Sequence, residues 1–405
     1  MTYLNEKIKA TKVSFNYSSY LSILAVLAMF LPVHPSMQSV IITLGIPSIA
    51  VAGSLVFLPV LYCFHQKFNR FEMFIFGNFI FFIAWIMFKS LTSAAFGELN
   101  NIKTMLSMFF LLLSIACSYV ASKNSESAIN IFALMGGVAL LHLIYLLAGD
   151  GFNFQSLAFH SLSTNDGRQN YQSTAFYLGF IALFFVTNIF AKSSKIRSKI
   201  VSLCGVMIAI SAMSLVGARA AVLAIVIVIF VLVIIAKTSL SFKILIYLIV
   251  SLLLTLIVIN IDTLFDTFTI FQRFQSLGDG SDSSKRIFLF QSAINLWSES
   301  PIFGNGIGTF THYIGESGLG WYPHNFILEC LSEAGIIAII PILIIFYIFI
   351  RKAVNFQNKT AYVYLYSLSL SIYAVVTYQF VGGILTMWIT CFFVSFAIFS
   401  LNNEE

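Results

Sequence analysis

Apolar stretches close to twenty residues long, divided by short polar connections, recur along almost the whole chain. About 20 apolar residues in a helix cross the hydrocarbon core of a bilayer, and runs of this length predict helices and not barrel strands. The pattern predicts twelve spans, at 18–35, 40–63, 72–89, 104–121, 127–148, 172–191, 198–215, 219–236, 242–260, 325–349, 360–378 and 382–399. The fold class is therefore all-α, a polytopic membrane protein with one integral membrane domain over residues 1–405. Its one long polar interruption, residues 262–323, falls between spans nine and ten.

That interruption carries an element of its own. After Gly278-Asp-Gly-Ser-Asp-Ser-Ser284, Ser284 is placed to cap a helix from Lys285 to about Ser298. Ile287, Phe290, Ala293, Ile294 and Trp297 recur at helical spacing and predict one apolar face, as expected of a surface helix lying on the membrane or over the bundle. Ser300-Pro301 ends it. The Gly304-x-Gly306-x-Gly308 run has no preceding strand, which favours a turn over a phosphate loop. The chain then enters span ten through Trp321-Tyr-Pro-His-Asn-Phe-Ile-Leu-Glu329, with Glu333 one turn further on the same face.

Composition agrees with the membrane reading: 59% of the 405 residues are hydrophobic and 9% charged, against roughly 25% charged in a soluble domain. Charge then orients the spans. Of the 22 Lys and Arg, 15 fall on the side of the termini. The other side keeps Lys89, Lys103, Arg168, Arg219, Arg273, Lys285 and Arg286, together with 11 of the 16 acids. Cytoplasmic loops carry the excess of Lys and Arg, so both termini are expected in the cytoplasm and the long loop outside. The net charge of +6 is accordingly a topology signal and not a nucleic-acid patch. Cys63, Cys117, Cys204, Cys330 and Cys391 lie in apolar runs with no paired or zinc-like spacing, and are expected as small core residues.

Against an acidic outer side, the outer arginines stand out. Arg219 opens span eight in Leu-Val-Gly-Ala-Arg-Ala-Ala: it either snorkels at a helix end or binds an anion, since a guanidinium stays charged and offers bidentate donors to phosphate. Arg286 either pairs with Asp282 or joins such a site. Arg168, in Asn-Asp-Gly-Arg-Gln-Asn, is a third candidate, and Arg273 has Asp266 and Asp279 as local partners. His324, held at the mouth of span ten by Pro323, is either an interfacial or capping residue or a base that titrates near neutral pH. Asn325 is a natural helix cap, and Glu329 either complements the helix dipole or orients His324 or a substrate hydroxyl. No Asp-x-Asp, HExxH, nucleophile-elbow or Walker motif is present, so nucleotide and metal chemistry have no motif support.

These residues also form a combination. Gly217-Ala-Arg-Ala220 before an apolar helix is followed by a long loop with Lys285-Arg286 and Ser300-Pro-x-x-Gly-x-Gly306. Then comes Pro323-His-Asn-x-x-Leu-Glu-x-x-x-Glu-x-Gly335. From about Ala212 to Ile340 the chain resembles the O-antigen polymerase and O-antigen ligase family. The resemblance implies a metal-independent glycosyltransferase of the bacterial inner membrane, without cofactor. Its donor is a sugar chain on undecaprenyl pyrophosphate, used at the periplasmic face.

Carried onto this chain, the resemblance makes Arg219, Arg286 and His324 catalytic, and places Arg168, Arg273, Asn325 and Glu329 in substrate binding. It also implies the lipid bilayer and other polysaccharide-assembly proteins, such as a chain-length regulator, as partners, and no nucleic acid. The His-Asn-Phe-Ile-Leu-Glu stretch looks more like a polymerase; a ligase, acting on the lipid A core, shares the motifs. A transporter or lipid-oligosaccharide flippase is the rival from another class, and predicts charged residues deep in the spans and helices broken at mid-membrane.

Overall fold

The computed structural model describes residues 17–36, 48–93, 99–149, 171–191, 195–216, 218–236, 281–315, 322–381 and 383–404. The helices are α1 (Tyr17–Phe30, continued by a 3₁₀ turn Leu31–Val33), α2 (Ser48–His65), α3 (Arg70–Thr92), α4 (Leu99–Ser122), α5 (Ser125–Gly149), α6 (Tyr171–Phe190) and α7 (Ile196–Val216). They continue with α8 (Arg219–Ile235), α9 (Ser281–Glu299), α10 (Thr309–Tyr313), α11 (Phe326–Asn355), α12 (Tyr362–Val381) and, after a 3₁₀ turn Ile384–Thr386, α13 (Met387–Glu404). Eleven of the twelve expected spans coincide with helices; the ninth, 242–260, lies outside the described residues. Among the described residues, six helices are long and apolar enough to cross a membrane: α3, α4 from Met105, α5, α6 from Gln172, α7 and α11.

Short polar connections fix which ends lie together. Asn124, between α4 and α5, donates to Ser19 of α1 at 2.6 Å. Lys123 pairs with Glu72 of α3 at 3.6 Å, and Glu72 closes a capping box with Asn69. Asn403 of α13 donates to the Ser122 carbonyl, and Lys352 of α11 to Asn402. All of these lie on the side that the charge count assigns to the termini. At the opposite end Ser173 donates to Val33 O, Ser93 to Ile307 O, and the Ile384 amide to Glu329. These contacts set the two ends of α1, α3, α11 and α13 on opposite sides of the bundle.

The centre of the bundle is aromatic. Phe30, Phe132, Phe180, Phe392 and Phe393 pack with ring centroids 4.9 Å (Phe30 to Phe392) to 6.1 Å (Phe132 to Phe392) apart, mostly edge to face, as ring quadrupoles favour. Buried tyrosines reach backbone carbonyls: Tyr177 to Phe30, Tyr366 to Phe180 and Tyr373 to Ala175. The last two bonds run α6 and α12 antiparallel. Gly136 lets α5 and α6 approach so closely that a Cβ there would meet the Ile181 amide at 2.6 Å, the small-residue packing expected between membrane helices.

Two local expectations change. The loop helix begins at Ser281, so Ser284 lies inside it, and Arg286 sits in its second turn. Its buried side is Leu289, Ser292, Ala293 and Leu296, whereas Ile287 and Ile294 are exposed. The repeat in the sequence is helical, but two adjacent faces are apolar, and only the one meeting Phe310 and Leu328 is covered. Of the cysteines, Cys63, Cys117, Cys330 and Cys391 are buried as expected and Cys204 is exposed on α7.

Candidate active site

α11 is one helix by sequence and two by backbone. Gly335 has φ 74° and ψ −176°, a conformation essentially reserved for glycine. The break leaves carbonyls without helical partners, and the Gly-rich turn after α9 takes them. Asn305 N donates to Ser332 O at 3.1 Å, Gly306 N to Glu333 O at 2.8 Å, and Ile336 N to Pro301 O at 3.0 Å. α3 contributes from the other side: Trp85 Nε1 donates to Ala334 O, and Lys89 Nζ to Gly304 O. The buried Glu333 carboxylate accepts from Phe310 N at 3.1 Å. Turn, α9 and the first half of α11 thus form one hydrogen-bonded unit.

His324 stands at the mouth of that unit with φ 52°, the only non-glycine residue of positive φ among the described residues. Such backbone persists only when its surroundings over-determine it, and it clusters at functional sites. Pro323 before it and Asn325 after it supply the constraint, since Asn325 Oδ1 accepts from Leu328 N at 3.0 Å and caps α11. The Tyr322 ring lies 4.2 Å from the imidazole, centroid to centroid. Partial burial, and then the Arg286 guanidinium, hold His324 below the ordinary histidine pKa of 6.5. At neutral pH the imidazole is uncharged and able to accept a proton.

In the fold the charge of Arg286 of α9 acts on His324, a residue 38 positions away in sequence. Arg219 opens α8, which packs against α12 and α6. α7 returns antiparallel to α6 and only two residues separate it from α8, so Arg219 lies at the end of the bundle that holds His324 and Gly383. Glu329 points its Oε2 at Ile384 N, 3.0 Å away, tying α11 to the turn before α13 beside Tyr322 and Gly383. Arg168 and Arg273 lie outside the described residues, as does the side chain of Asp282. Among the described residues no group of three or more His, Cys, Asp or Glu is placed to hold a metal.

Lys89, Trp85, Asn305 and Tyr322 were not singled out as site residues by sequence. The glycines at 304, 306 and 308 were the available signal: all three have positive φ, and a run of such positions marks backbone in close approach.

Residues 204–343 match the family model described as O-antigen ligase. No curated protein and no solved structure matches significantly. The matched stretch contains Arg219, Arg286, His324, Asn325 and Glu329. This chain thus carries an O-antigen ligase family domain over residues 204–343, which supports the O-antigen polymerase and ligase family to which its motifs point.

Proposed function

We propose that the protein is a membrane glycosyltransferase of the bacterial inner membrane, an O-antigen polymerase that joins oligosaccharide repeat units carried on undecaprenyl pyrophosphate. Its site faces the periplasm. The observation that supports this reading is a half-buried His324 with positive φ at the mouth of α11, within the family domain and in the field of Arg286.

The chemistry follows from these groups. The acceptor hydroxyl loses its proton to His324 as its oxygen attacks the anomeric carbon of the donor sugar. The bond from that carbon to the pyrophosphate oxygen breaks, and the lipid pyrophosphate leaves with the electron pair. Arg286 and Arg219 bind the leaving group more tightly as charge develops on it, which is what lowers a barrier. A neutral His324 beside a cation suits this division: the same arginine that attracts pyrophosphate keeps the base free of its proton. The reaction needs no metal in this account, because guanidinium groups supply the countercharge.

The match to the O-antigen ligase family favours a second reading, an O-antigen ligase passing the finished chain to the lipid A core. Donor and leaving group are shared, and only the acceptor differs. A deletion strain separates the two on a lipopolysaccharide gel. Core bearing one repeat unit indicates the polymerase; bare core with accumulating lipid-linked polymer indicates the ligase. Unchanged lipopolysaccharide and surface polysaccharide would count against both.

A further inference from the structure

The end of α9 is tied to the break in α11 through one side chain. Asn305 Nδ2 donates to the Leu296 carbonyl of α9 and, at 3.0 Å, to the Ser332 carbonyl of α11. Its own backbone N–H donates to Ser332 O as well. Asn305 sits between two glycines of positive φ, Gly304 and Gly306, where a Cβ at Gly304 would press on the Glu333–Ala334 backbone. The turn therefore has one way to lie on α11, and Asn305 converts that fit into a bridge between two helices.

The bridge bears on chemistry because of where α9 leads. Arg286 lies ten residues before Leu296, about 15 Å along the same helix. Leu289, Ala293 and Leu296 bury one side of α9 with Phe310, against Leu328 of α11. Apolar packing of this kind is non-directional and resists sliding weakly; the Asn305 bonds are directional and, beside the backbone bonds from the turn to α11, reach α9 itself. A shift of 1 Å in a charged group that acts on developing charge can cost about 100-fold in rate.

We propose that Asn305 is a positioning residue for the transfer reaction, holding α9 on the broken segment of α11 so that Arg286 keeps its place relative to His324. The inference rests on the function proposed above. Among the described residues, Arg286 of α9 and Tyr322 of its own segment act on His324, while Glu329 of α11 is turned to Ile384 N and Tyr378 of α12 interacts with Tyr322. Asn305 has no charge, so its replacement alters the ionisation of His324 only by moving one of these.

The test uses the full chain in detergent or reconstituted membranes, with a lipid-pyrophosphate-linked oligosaccharide as donor, and compares Asn305→Ala, Arg286→Gln and the double variant. Asn305→Ser, a milder loss of donors, provides the same comparison should the alanine variant misfold. Asn305→Ala is expected to slow transfer by up to about 100-fold and to displace the acidic limb of the pH profile upward, as Arg286→Gln does. The double variant is expected to be no slower than Arg286→Gln alone, because both changes remove one interaction. An unmoved pH profile, or losses that multiply in the double variant, overturns the inference. A wild-type protein that transfers no sugar from this donor overturns the proposed function instead.

Discussion

Arg286 and His324 come from separate elements, yet the guanidinium stands close enough to the imidazole to disfavour its protonated form, adding to the effect of burial. A charge placed there has an outcome that pH reveals. With the arginine present, His324 remains an unprotonated base to a pH below the ordinary histidine value. Arg286→Gln removes the repulsion, raises the histidine pKa, and protonates the base at higher pH. The acidic limb of the transfer rate, followed from about pH 5 to 8, is expected to move upward. A limb that stays in place, or moves down, contradicts this electrostatic role.

Arg286→Lys tests geometry separately from charge. An ammonium keeps the positive field at His324 but loses the planar pair of donors that suits a phosphate group. The pH profile is expected to stay near that of wild type while the maximal rate falls; Arg286→Ala is expected to lower it by about 100-fold or more, the scale for loss of a group that stabilises developing charge. Rates at saturating donor, at matched protein levels, decide it.

Gly335 should tolerate no side chain. A Cβ there would collide with the Ile302 carbonyl and the Gly304 amide, in a backbone conformation that L residues rarely adopt. Gly335→Ala is expected to cost at least about 2 kcal/mol, read as a fall in the thermal midpoint of the detergent-solubilised protein. Gly77 offers the comparison within the same molecule, since nothing lies within 4 Å of a Cβ there. Gly77→Ala is expected to be neutral or slightly stabilising, by up to about 1 kcal/mol.

Glu329 separates anchoring from substrate contact. Its carboxylate accepts the Ile384 amide, and an amide oxygen can do the same. Glu329→Gln is therefore expected to keep the thermal midpoint. Glu329→Ala strands a partly buried N–H, at a cost of about 1–3 kcal/mol, and frees the turn at Gly383 beside Tyr322. Equal midpoints for the two variants would show that the bond to Ile384 holds nothing.

The all-helical fold was legible in the sequence because apolar runs close to the length that crosses a bilayer form helices, and eleven of the twelve expected segments coincide with one. The sequence also placed the helix mouth at His324 and Asn325, where proline and a capping side chain act within a few residues. It missed the break at Gly335. A glycine in an apolar run looks like ordinary close packing, and only the turn at 301–306, thirty residues earlier, supplies the partners that make a broken helix stable. The same holds for the buried side of α9. Helical spacing pointed there to the face of Ile287 and Ile294, and Phe310, which covers the neighbouring face instead, comes after the helix has ended. Local signals were legible, while contacts between the loop and α11 were not.

In the proposed reaction His324 takes the acceptor's proton while arginines hold the departing lipid pyrophosphate. The most direct measurement places purified protein in proteoliposomes with an undecaprenyl-pyrophosphate-linked repeat unit and resolves the products by length. Wild-type protein is expected to build a ladder of longer lipid-linked chains, and His324→Ala, inserted at the same level and with the same thermal midpoint, to leave the repeat unit unchanged. A ladder of wild-type rate and length from His324→Ala would contradict the account.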